Sequence, residues 1–94
     1  MAGIPRYNWP ETRFARENTP GKQIDHILSE VDEVIAAGPE SNEGIERELA
    51  DLHHSLETFW RILERTKGLK YVANLFRATE KKNSMRRYYV RDNR

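Results

Sequence analysis

The sequence predicts an all-α fold, a bundle of about three helices per chain that is completed by homo-oligomerisation. Apolar residues recur at helical spacing in two long stretches, residues 22–37 and 42–67. No stretch alternates like a strand, and no apolar run approaches the ~20 residues that span a bilayer. A chain of 94 residues suits one domain, 1–94, with a modest core, so we expect copies to associate.

Residues 1–20 are predicted to form an irregular N-terminal arm. Prolines stand at positions 5, 10 and 20, and no helical or strand period persists between them. We expect its aromatic side chains to anchor the arm on the helices; they are Tyr7, Trp9 and Phe14.

The first helix is predicted to begin near Lys22, with Thr19 as its N-cap and Pro20 in the first turn. Gly38 and Pro39 are predicted to end it. Its apolar stripe consists of Ile24, Ile27, Leu28, Val31, Val34 and Ile35.

The second helix is predicted to begin near Ser41 or Asn42 and to run to about Lys67, where Gly68 stops it. A third helix follows from about Leu69. The predicted buried stripe of the second helix is Ile45, Leu49, Leu52, Leu56, Phe59, Trp60 and Leu63, and that of the third is Val72, Leu75 and Phe76.

Charge is segregated along the chain, although the net charge is only +1. Residues 25–57 hold ten acidic side chains and one basic, Arg47, whereas residues 61–94 hold eleven basic and three acidic. The basic C-terminal segment spans residues 80–94. Such segregation often reflects only two solvated faces of opposite charge. It also suits a site in which acidic side chains hold cations and basic side chains bind an anion.

Two acidic pairs stand out because each pair shares one flank of its helix. Glu30 and Glu33 lie beside the apolar stripe of the first helix, and Glu48 and Asp51 beside that of the second. The two pairs can face each other across an antiparallel hairpin. Other polar residues of the second helix are predicted to point away: Glu46, Glu57 and Arg61, with His54 outward and His53 bordering the stripe.

Four carboxylates at close quarters repel one another unless something compensates their charge. A hard divalent cation does so, and carboxylate oxygens are the ligands that Mg²⁺ or Mn²⁺ prefers. The chain has no cysteine, which excludes thiolate sites and disulfides. The alternative is a solvated acidic face, which is common on helices, but few lysines or arginines are near in sequence to neutralise one here.

With these acids the chain resembles the MazG-like all-α nucleoside triphosphate pyrophosphohydrolases, whose motif is E-E-x-x-E, a gap, and E-x-x-D. Here the motif reads S-E-V-D-E at 29–33 and E-L-A-D at 48–51. The resemblance covers about residues 20–90. It implies that four residues bind Mg²⁺ and serve catalysis, releasing monophosphate and pyrophosphate from a (deoxy)nucleoside triphosphate; they are Glu30, Glu33, Glu48 and Asp51.

The resemblance also implies a group of substrate-binding residues near the C-terminus, because family members carry a late Lys, Asn and Arg. Asn83 and Arg86 keep an N-x-x-R spacing, with Lys82 nearby, and His26 lies one turn before Glu30. His26 has two readings, a contact to substrate or a salt bridge to a neighbouring glutamate. The chain departs from the motif at Ser29, where the family has its first acid.

Two rival hypotheses stay open. One is an enzyme of the same superfamily with another substrate, such as a phosphoribosyl-nucleotide or dUTP. The other is a non-catalytic helical binding or regulatory protein with a degenerate acidic site, whose basic tail binds nucleic acid; we rank it second. The expected partners are a nucleoside triphosphate and one or three further copies of the chain. With no signal-like or membrane-spanning segment, a cytoplasmic protein is expected. The resemblance implies that it is a nucleotide house-cleaning enzyme.

Overall fold

A computed structural model of the chain describes residues 3–37 and 43–90, and both ranges are helical without strands. Four helices follow in order, α1 Arg13–Glu17, α2 Pro20–Ala36, α3 Glu43–Lys67 and α4 Leu69–Met85. The all-α prediction is therefore confirmed. The prediction of a wholly irregular arm is wrong in one place, because the five-residue helix α1 lies within it.

Helix α2 begins where its local signals predict. Thr19 is the N-cap, and its side-chain oxygen accepts a hydrogen bond from the backbone N–H of Lys22 at 3.2 Å. Pro20 occupies the first turn, where its missing N–H costs nothing. The predicted terminators Gly38 and Pro39 lie outside the described residues, as do Ser41 and Asn42, the predicted start of the next helix.

A single residue joins the two C-terminal helices. Gly68 lies between α3 and α4 with φ at +95°, a backbone conformation that side chains with a Cβ rarely adopt. The predicted stop at Gly68 is thus confirmed, and α4 starts at Leu69 as expected. The basic segment predicted from residue 80 is helical as far as Met85, so α4 runs into it.

Helix α3 is the centre of the fold, because α1, α2 and α4 all pack against it. The hydrophobic core lies around its C-terminal half, where Ile62 and Val72 are fully buried. Leu63, Ala73 and Ala15 complete the buried hydrophobic set among the described residues. Trp60 packs edge-on against Phe76 of α4, with ring centroids 4.8 Å apart.

Polar side chains of α3 hold the N-terminal arm in place. The carboxylate of Glu57 accepts hydrogen bonds from the backbone N–H of Asn8 at 2.9 and 3.0 Å and from its side-chain amide at 2.7 Å. Arg61 donates to the carbonyl of Trp9 at 2.8 Å. The prediction that Glu57 and Arg61 point away is wrong, because the arm returns over α3 and covers them.

Helix α2 and the first half of α3 expose much of the apolar stripe that was predicted to be buried. On α2, Ile35 is 70% exposed and Leu28 56%, and on α3 Leu49 is 48% exposed. Ile24 and Leu56 are exposed as well. The stripe follows helical spacing as predicted, but the described parts of a single chain leave each of these five side chains at least 39% exposed.

None of the helices that the structure describes combines the length and the apolar character needed to cross a membrane.

Candidate functional site

Three of the four predicted carboxylates meet between α2 and α3. Glu30, Glu33 and Glu48 each offer an oxygen, and these oxygens all lie within 4.8 Å of one another. The arrangement follows from local geometry, since residues three apart on α2 are neighbours on the helix surface. The antiparallel packing of α3 then brings Glu48 opposite them. We call these three residues the carboxylate cluster.

Two oxygens of the carboxylate cluster are buried and have no hydrogen-bond partner among the described residues. They are Oε2 of Glu30 and Oε2 of Glu48. Buried polar atoms in folded proteins nearly always have a partner, so a buried carboxylate oxygen without one is available to a cation or a hydrogen-bond donor. Among the described residues, Glu30 forms an ion pair with Nε2 of His26 at 3.2 Å.

The carboxylates of the cluster oppose one another's ionisation. Burial raises the pKa of Glu30, and the negative charges of Glu33 and Asp51 raise it further. The pKa of Glu48 is also raised, first by a side-chain hydrogen bond with Glu33, then by burial and by the neighbouring charges. In the absence of a cation, the negative charges of Glu30 and Glu48 are therefore held at a greater free-energy cost than those of isolated carboxylates.

Asp51, the fourth predicted acid, stands beside the carboxylate cluster. Its side chain is exposed, and its oxygens are not among those within 4.8 Å of one another. Its negative charge still contributes to raising the pKa of both Glu30 and Glu48. The structure therefore separates Asp51 from the three potential ligands, which the spacing of the motif did not predict.

His26 and Ser29 flank the cluster on α2. His26 forms an ion pair with Glu30, which is the second of the two roles predicted for it. Its side chain is 46% exposed. Ser29, which replaces the first acid of the family motif, donates its hydroxyl to the carbonyl of His26 at 2.8 Å. Its side chain is thus engaged with the backbone of its own helix.

A cavity of about 240 Å³ lies between α2, α3 and the arm, and Glu30 of the carboxylate cluster and Asp51 are part of its lining. The side chain of Gln23 is buried, and its amide donates a hydrogen bond to the carbonyl of Ser55 at 3.0 Å. The lining consists of Thr12, Phe14, Gln23, His26, Glu30, Asp51, His54, Ser55 and Thr58.

The late basic residues are not part of this site within one chain. No hydrogen bond or ion pair of the described residues joins Lys82, Asn83 or Arg86 to the carboxylate cluster. Lys82 and Arg86 instead line an open surface cavity of about 490 Å³ at the end of α4, with Met85. The resemblance placed all three with the substrate, and that role remains a prediction.

Sequence reasoning predicted that aromatic side chains anchor the arm on the helices, but it missed that the arm and His54 line this cavity. His54 was predicted to face outward, but it is half-buried, lines the cavity and stacks on Trp9, with centroids 4.8 Å apart and planes 22° apart. His53, expected near the stripe, is 61% exposed. The signal available was the run of aromatic residues in the arm, which does not say where on α3 they pack.

Comparisons with models of protein families, with curated proteins and with solved structures find no match for the chain.

Proposed function

We propose that the chain is a metal-dependent nucleotide pyrophosphohydrolase of the MazG-like kind. The observation that carries the proposal is the carboxylate cluster, in which three carboxylates from two helices converge with two buried, partnerless oxygens. The spacing of the S-E-V-D-E and E-L-A-D segments supports the same reaction class. The substrate would be a (deoxy)nucleoside triphosphate.

The donor set fits a hard divalent cation. All three side chains offer oxygen, the chain has no cysteine, and the imidazole of His26 is already paired with Glu30. Mg²⁺ or Mn²⁺ accepts such ligands and keeps positions for water and for phosphate oxygens. Glu30, Glu33 and Glu48 would hold the ion, and its charge would relieve the repulsion that raises the pKa of two of them.

In the proposed reaction, water adds to the α-phosphorus and the bond to the bridging oxygen of the β-phosphate breaks, which releases monophosphate and pyrophosphate. The ion would supply Lewis-acid polarisation of the phosphates and a more acidic water. Asp51 lines the cavity beside the ligands, where a carboxylate can accept the proton of the attacking water. His26 would hold Glu30 in its ligating orientation.

A second copy of the chain is part of the proposal. Exposed apolar side chains recur at helical spacing on α2 and α3; they are Ile24, Leu28, Ile35, Leu49 and Leu56. Soluble monomers rarely leave extended apolar surface uncovered. A partner that presents the same face would extend the two helices into a bundle, as a dimer or a tetramer.

One observation favours the rival reading, a nucleic-acid-binding protein. At the end of α4, Tyr88 is 65% exposed and Tyr89 52% exposed, beside Arg86 and Arg87. Basic side chains interleaved with exposed aromatic rings suit a single strand. This end makes no contact with the carboxylate cluster in the described residues, so the two readings concern different surfaces and are separable.

Thermal unfolding with and without divalent ions tests the metal site. We expect Mg²⁺ and Mn²⁺ to raise the Tm, since a ligand at about 100 times its Kd stabilises the folded state by about 2.7 kcal/mol. Glu48→Gln should remove this response. The same variant should raise the Tm measured without metal, because one charge of the repelling cluster is lost.

Glu46→Gln is the matched control, because Glu46 is an exposed glutamate of α3 outside the cluster. It should keep the full response to metal. A wild-type protein whose Tm is indifferent to both ions would refute the metal site.

A further inference from the structure

The cavity beside the carboxylate cluster is elongated along two antiparallel helices. Glu30 and Asp51 line one end, and Gln23 and Thr58, seven residues away on α2 and α3 respectively, line the other. Seven residues of α-helix correspond to about 10 Å. The hydrogen bond from Gln23 to Ser55 ties the two helices together along this length.

The chemistry of the lining changes from one end to the other. The carboxylates are confined to the end at Glu30 and Asp51, and beyond them come hydroxyl, amide and aromatic groups. No lysine or arginine is among the described residues that line the cavity. A ligand that fits this gradient carries its negative charge at the metal end and an uncharged, planar or hydroxylated part at the other.

An aromatic surface is available in the cavity beside His26. Phe14 is 42% exposed although it lines the cavity. Its ring lies near that of His26, with centroids 6.3 Å apart and planes 27° apart. The guanidinium of Arg13, itself on the exposed side of α1, lies 5.1 Å from the centre of the Phe14 ring. Aromatic faces of this kind stack readily on nucleobases.

The arm that carries Phe14 is a fixed wall. Arg65 donates to the carbonyl of Ala15 at 3.0 Å and to that of Asn18 at 2.9 Å, so it holds the helix α1 at both of these points. The hydroxyl of Thr12 lies 3.4 Å from that of Thr58. These contacts keep Phe14 in place before any ligand arrives, which reduces the cost of ordering on binding.

We infer that this cavity is the nucleoside subsite of the enzyme, with the base stacked on Phe14 and the sugar directed towards Glu30 and Asp51. The inference rests on the proposed function and adds the part of the substrate that the carboxylates do not explain. Its volume of about 240 Å³ is below the usual 300–1,000 Å³ of complete ligand sites, which suits a nucleoside whose phosphates lie outside at the metal. Residues of the arm would then determine which base the enzyme prefers.

Calorimetric titration of two probes in Mg²⁺ separates the nucleoside subsite from the metal site. The first probe is an α,β-imido deoxynucleoside triphosphate, which resists hydrolysis, and the second is inorganic tripolyphosphate, which lacks base and sugar. We expect Phe14→Ala to weaken binding of the nucleotide analogue by about tenfold, in the range of one lost stacking contact. Binding of tripolyphosphate should be unchanged, which also shows that the variant is folded.

Tyr71→Ala serves as the control, since Tyr71 of α4 is an aromatic residue of similar exposure, 44%, that is not among the described residues lining the cavity. It should leave both affinities unchanged. If the analogue binds no more tightly than tripolyphosphate, or if Phe14→Ala weakens neither probe, the nucleoside subsite is wrong while the metal site stands. If tripolyphosphate itself does not bind in Mg²⁺ or Mn²⁺, the proposed function fails and the subsite fails with it.

Discussion

At the residue scale, Glu57 shows how this small protein keeps a buried charge. Its side chain is 5% exposed, and burial alone would raise its pKa. The side-chain and backbone N–H groups of Asn8 and the backbone N–H of Trp9 outweigh that effect, so the pKa is lowered. Hydrogen bonds to the ionised carboxylate compensate for the free-energy cost of removing it from water. Glu57 therefore stays ionised and fastens the arm to α3.

Glu57→Gln should destabilise the protein by about 1–3 kcal/mol, because the amide has one acceptor oxygen where the carboxylate has two and turns a second donor towards Asn8. The lowered pKa fixes the pH dependence. The folded state holds its proton less tightly than the unfolded chain, so the stabilisation is complete above the unfolded pKa and is lost as the pH falls through the folded value.

Urea unfolding of the two proteins checks this prediction. The difference in free energy of unfolding should be largest near neutral pH and should shrink below the ordinary carboxyl range, about pH 4. Glu46→Gln, at an exposed position of the same helix, should show no such difference. A difference that grows in acid would contradict the assigned role of Glu57.

The residues that sequence reasoning placed correctly are those governed by local geometry. Glu30 and Glu33 adjoin because they are three apart on a helix, and Glu48 joins them because α3 packs antiparallel to α2. Glu57 and His54 were misplaced because their partners are in the arm, more than 40 residues away in sequence. A helical wheel contains no information about such a partner.

At the element scale, the exposed apolar stripe of α2 is the feature that a single chain leaves unexplained. Leu28 and Ile35 are more than half exposed, yet they share the helix face with Val31, which is partly buried. The periodicity predicted the helix and its amphipathic character correctly. It did not predict what covers the face, because that depends on tertiary or quaternary contacts.

Leu28→Glu should lower the mass of the oligomer in solution, since a charge at the centre of an apolar interface opposes its burial. Sedimentation equilibrium measures that mass directly. Met85→Glu is the matched control, because Met85 is 76% exposed but lies at the end of α4, away from this face. A wild-type chain that sediments as a monomer at all concentrations would contradict the proposed assembly.

The ends of the helices were predictable where a cap or a glycine acts locally, as at Thr19 and Gly68. The helix α1 was not, because five residues provide too few turns to produce a period. It exists through its packing on α3 and through the hydrogen bonds of Arg65.

At the scale of the whole molecule, the chain is more extended than a self-sufficient domain. Its radius of gyration is 15.5 Å, whereas a compact domain of this length has about 12 Å. The core is confined to the region around Ile62 and Val72, and the acidic half of the hairpin projects beyond it. An incomplete hydrophobic interior agrees with the expectation that copies associate.

The segregation of charge read from the sequence corresponds to two separate regions. The acidic residues between positions 25 and 57 supply the carboxylate cluster, and basic residues accumulate towards the end of α4. We expected the two regions to meet around a phosphate, but the described residues of one chain do not bring them together. Composition and spacing predicted both regions, but their relative position depends on how α4 leaves α3 and on any partner.

Product analysis tests the central claim most directly. The purified protein is incubated with Mg²⁺ or Mn²⁺ and a panel of ribo- and deoxynucleoside triphosphates, including dUTP, and the products are separated by ion-exchange chromatography. We expect nucleoside monophosphate and pyrophosphate in equal amounts from at least one triphosphate, and none from Glu48→Gln. Intact triphosphates with both ions, together with salt-sensitive binding of single-stranded DNA or RNA, would contradict the enzyme and favour the nucleic-acid-binding reading.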